Sequence, residues 1–253
     1  MHKDLFVHYP KEEAFVKRTL ELIKLADKKR SYVLTPFLMP DKQAIVHQIA
    51  GKQMRIAEDG FYPHAESKRL AIVPFAFDGE IDMDICQLAA SFPAKFLTIS
   101  HRDVLGALMQ IGLEREQFGD IAVTSGEIGI AVMRSQAAYI ADQLTQIHRA
   151  SVSFVPQEAM VAKAEQRKTM QVIVSSFRLD TLVGALANVS RARAKEMILA
   201  GHVKVNHSLI ESSDKLCNNN DVISIRGAGR FVIVGCVGQT KKENYVLTIE
   251  QYI

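Results

Sequence analysis

Between positions 178 and 206 the chain gathers the side chains best suited to a charged partner. In RLDTLVGALANVSRARAKEMILAGHVKVN, the cations Arg178, Arg191, Arg193, Lys195 and Lys204 stand against only Asp180 and Glu196. Guanidinium and ammonium groups grouped this way neutralise phosphates and release their counterions, so the chemistry they suggest is contact with a nucleic-acid backbone. Arg191 and Arg193 fall in the first turn of a helix, where the macrodipole favours acids. A merely solvated helix is the competing explanation, and the small electrostatic cost of those positions weighs against it.

Two other groupings could do acid–base work. Asp82 and Asp84 have strand spacing and would face one side of a sheet, and His101-Arg102-Asp103 opens a helix. Surface solvation accounts for the first pair and helix capping for the second, with less demanded than catalysis would demand. Cys86, Cys217 and Cys236 are widely spaced and form no C-x-x-C. They read as buried small hydrophobes in a reducing compartment, and neither a metal nor a cofactor is implied.

The elements that position the cations follow from periodicity. Leu179, Leu182, Val183 and Leu186 line one face of a short helix; Ser190 is the N-cap of a second, which Gly201 ends, and a strand begins at Val203. Ala194, Met197 and Ile198 form the apolar face of the second helix, flanked by Arg191 and Lys195 on one side and by Arg193 on the other. Asp180 is expected to be a structural carboxylate, paired with Arg193 or with its own helix terminus.

The rest of the chain supplies two further bodies and a connection. At 253 residues, with 48% hydrophobic and 23% charged residues, the chain has the balance of a globular protein of several domains. No apolar stretch approaches the roughly eighteen residues of a membrane helix, and MHKDLFVHYPKEE lacks the apolar core of a secretory signal, so the expected compartment is the cytoplasm. Residues 1–155 hold 18 basic and 19 acidic side chains, whereas residues 171–253 hold 10 and 7, so the positive excess belongs to the carboxy-terminal third.

Residues 1–78 read as a small α/β domain, with helices over 11–29 and from Asp41 to Gly51 and strands at Met54–Ala57 and Leu70–Phe77. A strand-like segment at Ile81–Leu88 follows. Residues 79–156 read as a ferredoxin-like β-α-β-β-α-β domain. Its strands are placed at Phe96–Ile99, Ile121–Thr124, Ile128–Met133 and Ser151–Val155, with helices capped by Ser100 and Ser135. RNA-recognition domains of this topology stack bases on aromatics of the two central strands, but FLTIS and IGIAVM carry almost none, so scaffold or protein contact is expected here. Residues 157–174 read as a linker containing Lys163, Arg167 and Lys168, and residues 175–253 as an α+β domain with a small twisted sheet.

Arg178-Leu179-Asp180, Ser190-Arg191 and Gly201-His202-Val203-Lys204-Val205-Asn206 together resemble the S-four domain, the RNA-binding module named after small-subunit ribosomal protein four. Its usual V-N-G turn reads Val205-Asn206-His207 here, and its G-D-x-I reads Asn220-Asp221-Val222-Ile223, changes that Asn tolerates because it accepts positive φ. The RNA-contacting set this implies is Arg178, Ser190, Arg191, Arg193, Lys195, His202, Lys204 and Asn206. With A-E-x-K-R at Ala65–Arg69, H-R-D-V-L-G at His101–Gly106 and F-G-D-I at Phe118–Ile121, nearly the whole chain resembles the bacterial YlmH (RqcP) family. That resemblance implies binding to ribosomal RNA of the large subunit and to transfer RNA during ribosome-associated quality control; the residues themselves are read as those of a non-catalytic protein, expected to be a monomer without cofactor.

The enzymatic alternative is an RNA-modifying protein of the pseudouridine-synthase kind, targeted by its S-four domain. It draws on Arg178-Leu179-Asp180, which resembles the G-R-L-D segment carrying those enzymes' catalytic Asp, yet here this segment runs straight into the S-four helices. No strand followed by G-x-G-x-x-G and no H-I-G-H is present to support a methyltransferase or synthetase reading.

Overall fold

Helix α1 (Glu13–Lys29) forms because Val16, Thr19, Ile23 and Ala26 recur on one face, and all four are buried. It ends where Arg30 turns left-handed at φ 50°, after Lys28 and Lys29 have placed positive charge on its carboxyl end. The computed structural model describes residues 9–10, 12–158, 161 and 167–252. Most of the amino-terminal stretch read for a leader, residues 1–8 and 11 of 1–13, and the linker's Lys163 lie outside them. Two compact units divide the chain, Met1–Lys163 and Ala164–Ile253.

In the first unit, α1 and α2 (Pro40–Ala50) pack on a three-stranded antiparallel sheet of β1 (Val33–Leu38), β3 (Lys68–Pro74) and β2 (Met54–Asp59), in that spatial order. Strand β1 was not expected from the sequence. Pro36 cannot donate to a ladder, and the register between β1 and β3 shifts between Leu34 and Phe37 to accommodate it.

The ferredoxin-like order is present, with a different first strand. It is β4 (Ile85–Ser91), followed by α3 (His101–Gln110), β5 (Phe118–Val123), β6 (Glu127–Met133), α4 (Arg134–Gln143), a small hairpin of β7 (Gln146–Ile147) and β8 (Ala150–Ser151), and β9 (Val155–Pro156). The sheet order is β5-β6-β4-β9. Phe96–Ile99 is loop, with Phe96 85% exposed, and of the expected closing strand only its last residue, Val155, enters this sheet. The Ser100–Asp103 capping box forms, but α4 starts two residues early, with Met133 at the cap position, and leaves Ser135 inside its first turn, so Ser135 is not the cap.

One face of this sheet carries the helices over Leu88, Phe118, Ile128, Ile130 and Val132. The other, which an RNA-recognition domain leaves open, has small residues at Ala89, Ala122, Gly129 and Ala131, and it is covered from within the same unit by Phe37, Tyr62 and Val161. Gln87, fully buried there, accepts hydrogen bonds from Tyr62 Oη at 2.8 Å and Val161 N at 3.1 Å. Two of the quoted segments meet at this junction. Asp120 of F-G-D-I accepts from the backbone N–H groups of Glu66 and Ser67, in the A-E-x-K-R segment, at 2.7 and 3.1 Å.

The second unit opens with β10 (Arg167–Val174), so the later half of the expected linker is a strand. Helices α5 (Leu179–Leu186) and α6 (Arg191–Leu199) follow, then β11 (Val203–Val205), β12 (Ser208–Leu209), β13 (Val222–Ile225), β14 (Gly229–Gln239) and β15 (Tyr245–Tyr252). They make an antiparallel sheet ordered β10-β15-β14-β13-β11-β12. Its core joins Leu179, Leu182, Val183, Ala194 and Ile198 of the helices to Val203, Ile223, Phe231, Ile233, Leu247 and Ile249 of the strands. Cys217 is buried as expected, but Cys86 is half-buried and Cys236 is exposed. Among the described residues no helix is long and apolar enough to cross a membrane.

Candidate nucleic-acid interface

The first amides of a helix have no partner within it. In α5 they are satisfied from the loop before β13: Leu179 N donates to Lys215 O at 2.8 Å and Asp180 N to Ser213 O at 3.0 Å. Arg178 just before them is extended and bridges to Leu216. The Asp180 side chain is thereby released from capping, and it meets α6 instead.

The Asp180 residue is fully buried, and two guanidiniums grip its carboxylate. Arg178 donates from Nε to Oδ1 and from Nη2 to Oδ2, both at 3.2 Å, and Arg191 donates from Nε to Oδ2 at 3.0 Å and from Nη2 to Oδ1 at 3.3 Å. Thr181 Oγ1 adds a bond to Oδ1 at 3.3 Å, and Lys195 Nζ stands 4.0 Å from Oδ2. Burial pushes the carboxyl pKa up, but the bonds from Arg178 and Arg191 outweigh it and hold the value at about 2. The cations themselves reach water: their side chains are 34%, 54% and 49% exposed for Arg178, Arg191 and Lys195. Three positive charges on one carboxylate leave an excess. Asp214 draws on the Arg178 side, where its own carboxyl is held down by Ser212 and then by the Arg178 charge, so the excess lies toward Arg191 and Lys195.

Asp180 therefore pairs with Arg178 and Arg191, and the expected pairing with Arg193 does not form. Positions 191 and 195 are one turn apart on the α5 side of α6, while Arg193 points elsewhere and bonds Glu196 at 2.7 Å. Ser190 caps α6 by accepting from Arg193 N at 3.2 Å. Gly201, at φ 70°, lets His202 N reach back to Met197 O at 2.9 Å, and this closes the helix. Half-buried His202 accepts at its carbonyl from Arg226 N. Lys204 is exposed between buried Val203 and Val205, so it lies on the sheet face away from the helices.

Asn206 serves the fold. With His207 it makes the two-residue turn between β11 and β12, at φ 50° and 69°, and its side chain donates to Asp221 Oδ1 and accepts from Val222 N at 2.8 and 2.9 Å. Sequence reasoning missed Thr181, whose hydroxyl reaches the neighbouring carboxylate within α5, and Asp214, which comes near Arg178 only once the loop at 212–216 folds back onto α5.

The acids considered for catalysis are engaged. The Asp82 carboxylate binds Arg134 through two bonds of 2.6 and 2.9 Å, and Asp84 bonds Arg69 at 3.0 Å; both precede β4 and do not lie on a strand. Asp103 is held to about pKa 2 by its bonds to Ser100 and by His148, whose Nε2 lies 2.8 Å away. An open cleft of about 840 Å3 lies beside it, lined also by Arg102, Gln110, Gln143 and Thr145, and Asp103 is its one acid. A cleft that gathered several acids, or a nucleotide-sized pocket, would favour the enzymatic alternative; this cleft and the 570 Å3 one beside Ser91 and Glu127 are large enough in volume but open to solvent, and each holds a single acid.

Comparisons with known proteins agree with this layout. Residues 11–76 match the family model "YlmH, N-terminal", residues 79–160 "Putative RNA-binding domain in YlmH" and residues 177–223 "S4 domain". A solved structure, "Cell division protein ylmH from Streptococcus pneumoniae", superposes with a TM-score of 0.51 at 26% identity over 58% of this chain and 91% of that one. "Ribosome-associated protein quality control protein P2" of Bacillus subtilis (strain 168) is 32% identical over 253 residues, 98% of each chain. On that full-length identity, and with all three family models in their order along the sequence, the chain belongs to the YlmH family.

Proposed function

We propose that this protein acts without catalysis in the cytoplasm, as a monomer that docks on structured RNA of the large ribosomal subunit and contacts transfer RNA during ribosome-associated quality control. The observation that carries the reading is the cluster at Asp180. One buried carboxylate orients two guanidiniums and draws in an ammonium, and all three keep surface in water where phosphate oxygens could reach them. Such a cluster is held in place before RNA arrives, so less ordering entropy is lost on binding. The Bacillus relative's name supports the ribosomal partner.

The same geometry speaks against the enzymatic alternative. A catalytic aspartate has to reach its substrate, and the Asp180 carboxylate is buried and engaged by two arginines and a threonine.

Sedimentation through sucrose with purified ribosomal subunits tests the proposal. The full chain should travel with the large subunit at low salt and be released as salt rises, because the contacts are ionic. Migration with neither subunit at any salt would overturn it.

A further inference from the structure

On the second unit's sheet one row of cross-strand neighbours spans every strand. Leu209 of β12 pairs with Lys204 of β11, Lys204 with Ser224 of β13, and Ser224 with Arg230 of β14. Arg230 stacks on the ring of Tyr252 in β15, its guanidinium carbon 4.5 Å from the centroid, and Tyr252 pairs with Arg167 of β10, which stacks on the same ring at 4.6 Å. The neighbours of this row along their strands, Val203, Ile223, Ile225 and Phe231, are buried in the core. By the two-residue period of a strand the row therefore lies on the face that carries no helix.

Three cations, Lys204, Arg230 and Arg167, thus stand two strands apart from one another, about 10 Å each, with an aromatic ring between the last two. Glu250, an acid on the same face, bonds Arg167 at 3.1 Å, and His207 Nε2 lies 3.4 Å from Arg230 Nη2. A guanidinium stacked on a ring has its plane fixed, so its N–H fork meets phosphate oxygens edge-on and its outer face suits a base. Arg167, Arg230 and Tyr252 all lie beyond the 177–223 S-four match, and none of them belongs to the cluster at Asp180.

We propose that this helix-free face is a second RNA contact, where an RNA strand lies across the sheet along the row with its phosphates at Lys204, Arg230 and Arg167. The inference rests on the RNA-binding reading above and adds a site to it. Protein partners fit less well, since the row offers positive charge and a ring already stacked on both neighbours, with Leu209 its one apolar end.

Titration of the full chain with folded transfer RNA at several salt concentrations is the test. The Arg167→Gln, Arg230→Gln double variant should bind about tenfold more weakly and flatten the slope of log affinity against log salt by about one to two. Lys204→Gln, exposed on a short strand, should flatten it by about one, and it keeps the test open should the arginine variants fail to fold. Either variant, folded by circular dichroism yet binding with wild-type affinity and slope, overturns the row as a contact. If instead the unaltered protein does not bind transfer RNA, the transfer-RNA part of the reading beneath it fails. Weakening by substitutions at Arg191 and Lys195 alone would sink only this inference.

Discussion

At Asp180 a buried charge would be costly on its own, and its bonds to Arg178 and Arg191 offset that cost. An ordinary aspartate titrates near 3.8 and this one at about 2 in the folded state. The depressed value means that its contribution is fully present above about pH 4 and is lost as pH falls through about 2; the difference corresponds to about 2 kcal/mol. Asp180→Asn should lower stability at neutral pH by a similar amount and remove that part of the acid sensitivity between pH 4 and 2. Urea unfolding across that range checks it, and an unchanged pH profile would show that Asp180 does not carry the charge assigned to it. The sequence identified Asp180 as structural but assigned it to Arg193. Which of three nearby arginines faces a carboxylate depends on how α6 rotates against α5, and residue spacing leaves that open.

Among the elements, the junction inside the first unit is closely packed. A Cβ at Gly119 would lie 2.6 Å from Phe37 and 3.1 Å from Ala131, between β5 and the aromatic cover of its sheet. Gly119→Ala should therefore destabilise this unit by about 1–3 kcal/mol through overpacking. Gly106→Ala is the matched control. It sits within α3 with nothing inside 4 Å of the added carbon, so it should be neutral or stabilise by up to about 1 kcal/mol. Chemical denaturation of both decides, and equal effects would contradict the packing account. The helices here were legible, because Val104 and Leu108, or Val16, Thr19 and Ile23, repeat at helical spacing. Strands were less so. Phe96-Leu97 is apolar yet lies in a loop, and β1 was hidden by Pro36, since burial of such runs is set by tertiary neighbours.

Over the whole molecule, charge and fold are divided between the units. The first is near neutral and uses its charged groups internally, as at Asp82 with Arg134 and Asp84 with Arg69. The second carries the excess cations. The sequence showed that division through simple counting, and it showed the S-four unit through motif spacing, but it missed the sheet-face row, whose members lie up to 85 residues apart and meet only through strand pairing.

The structure also changes which substitutions are informative. Arg191→Ala is not a silent surface change, since it removes two bonds to a buried carboxylate and should cost about 2 kcal/mol, whereas Lys195→Ala should cost about 0.5 kcal/mol or less. The most direct measurement compares Arg191→Ala, Lys195→Ala with Asp180→Asn, titrating both folded proteins with transfer RNA over a series of salt concentrations. Both weaken the same cluster, but only the first removes cations. The double variant should bind more weakly with a slope flattened by about one to two, and Asp180→Asn should bind at least as well as the wild type with an undiminished slope. Equal losses in both, or an unchanged slope in the double variant, would contradict the claim that these cations meet phosphate.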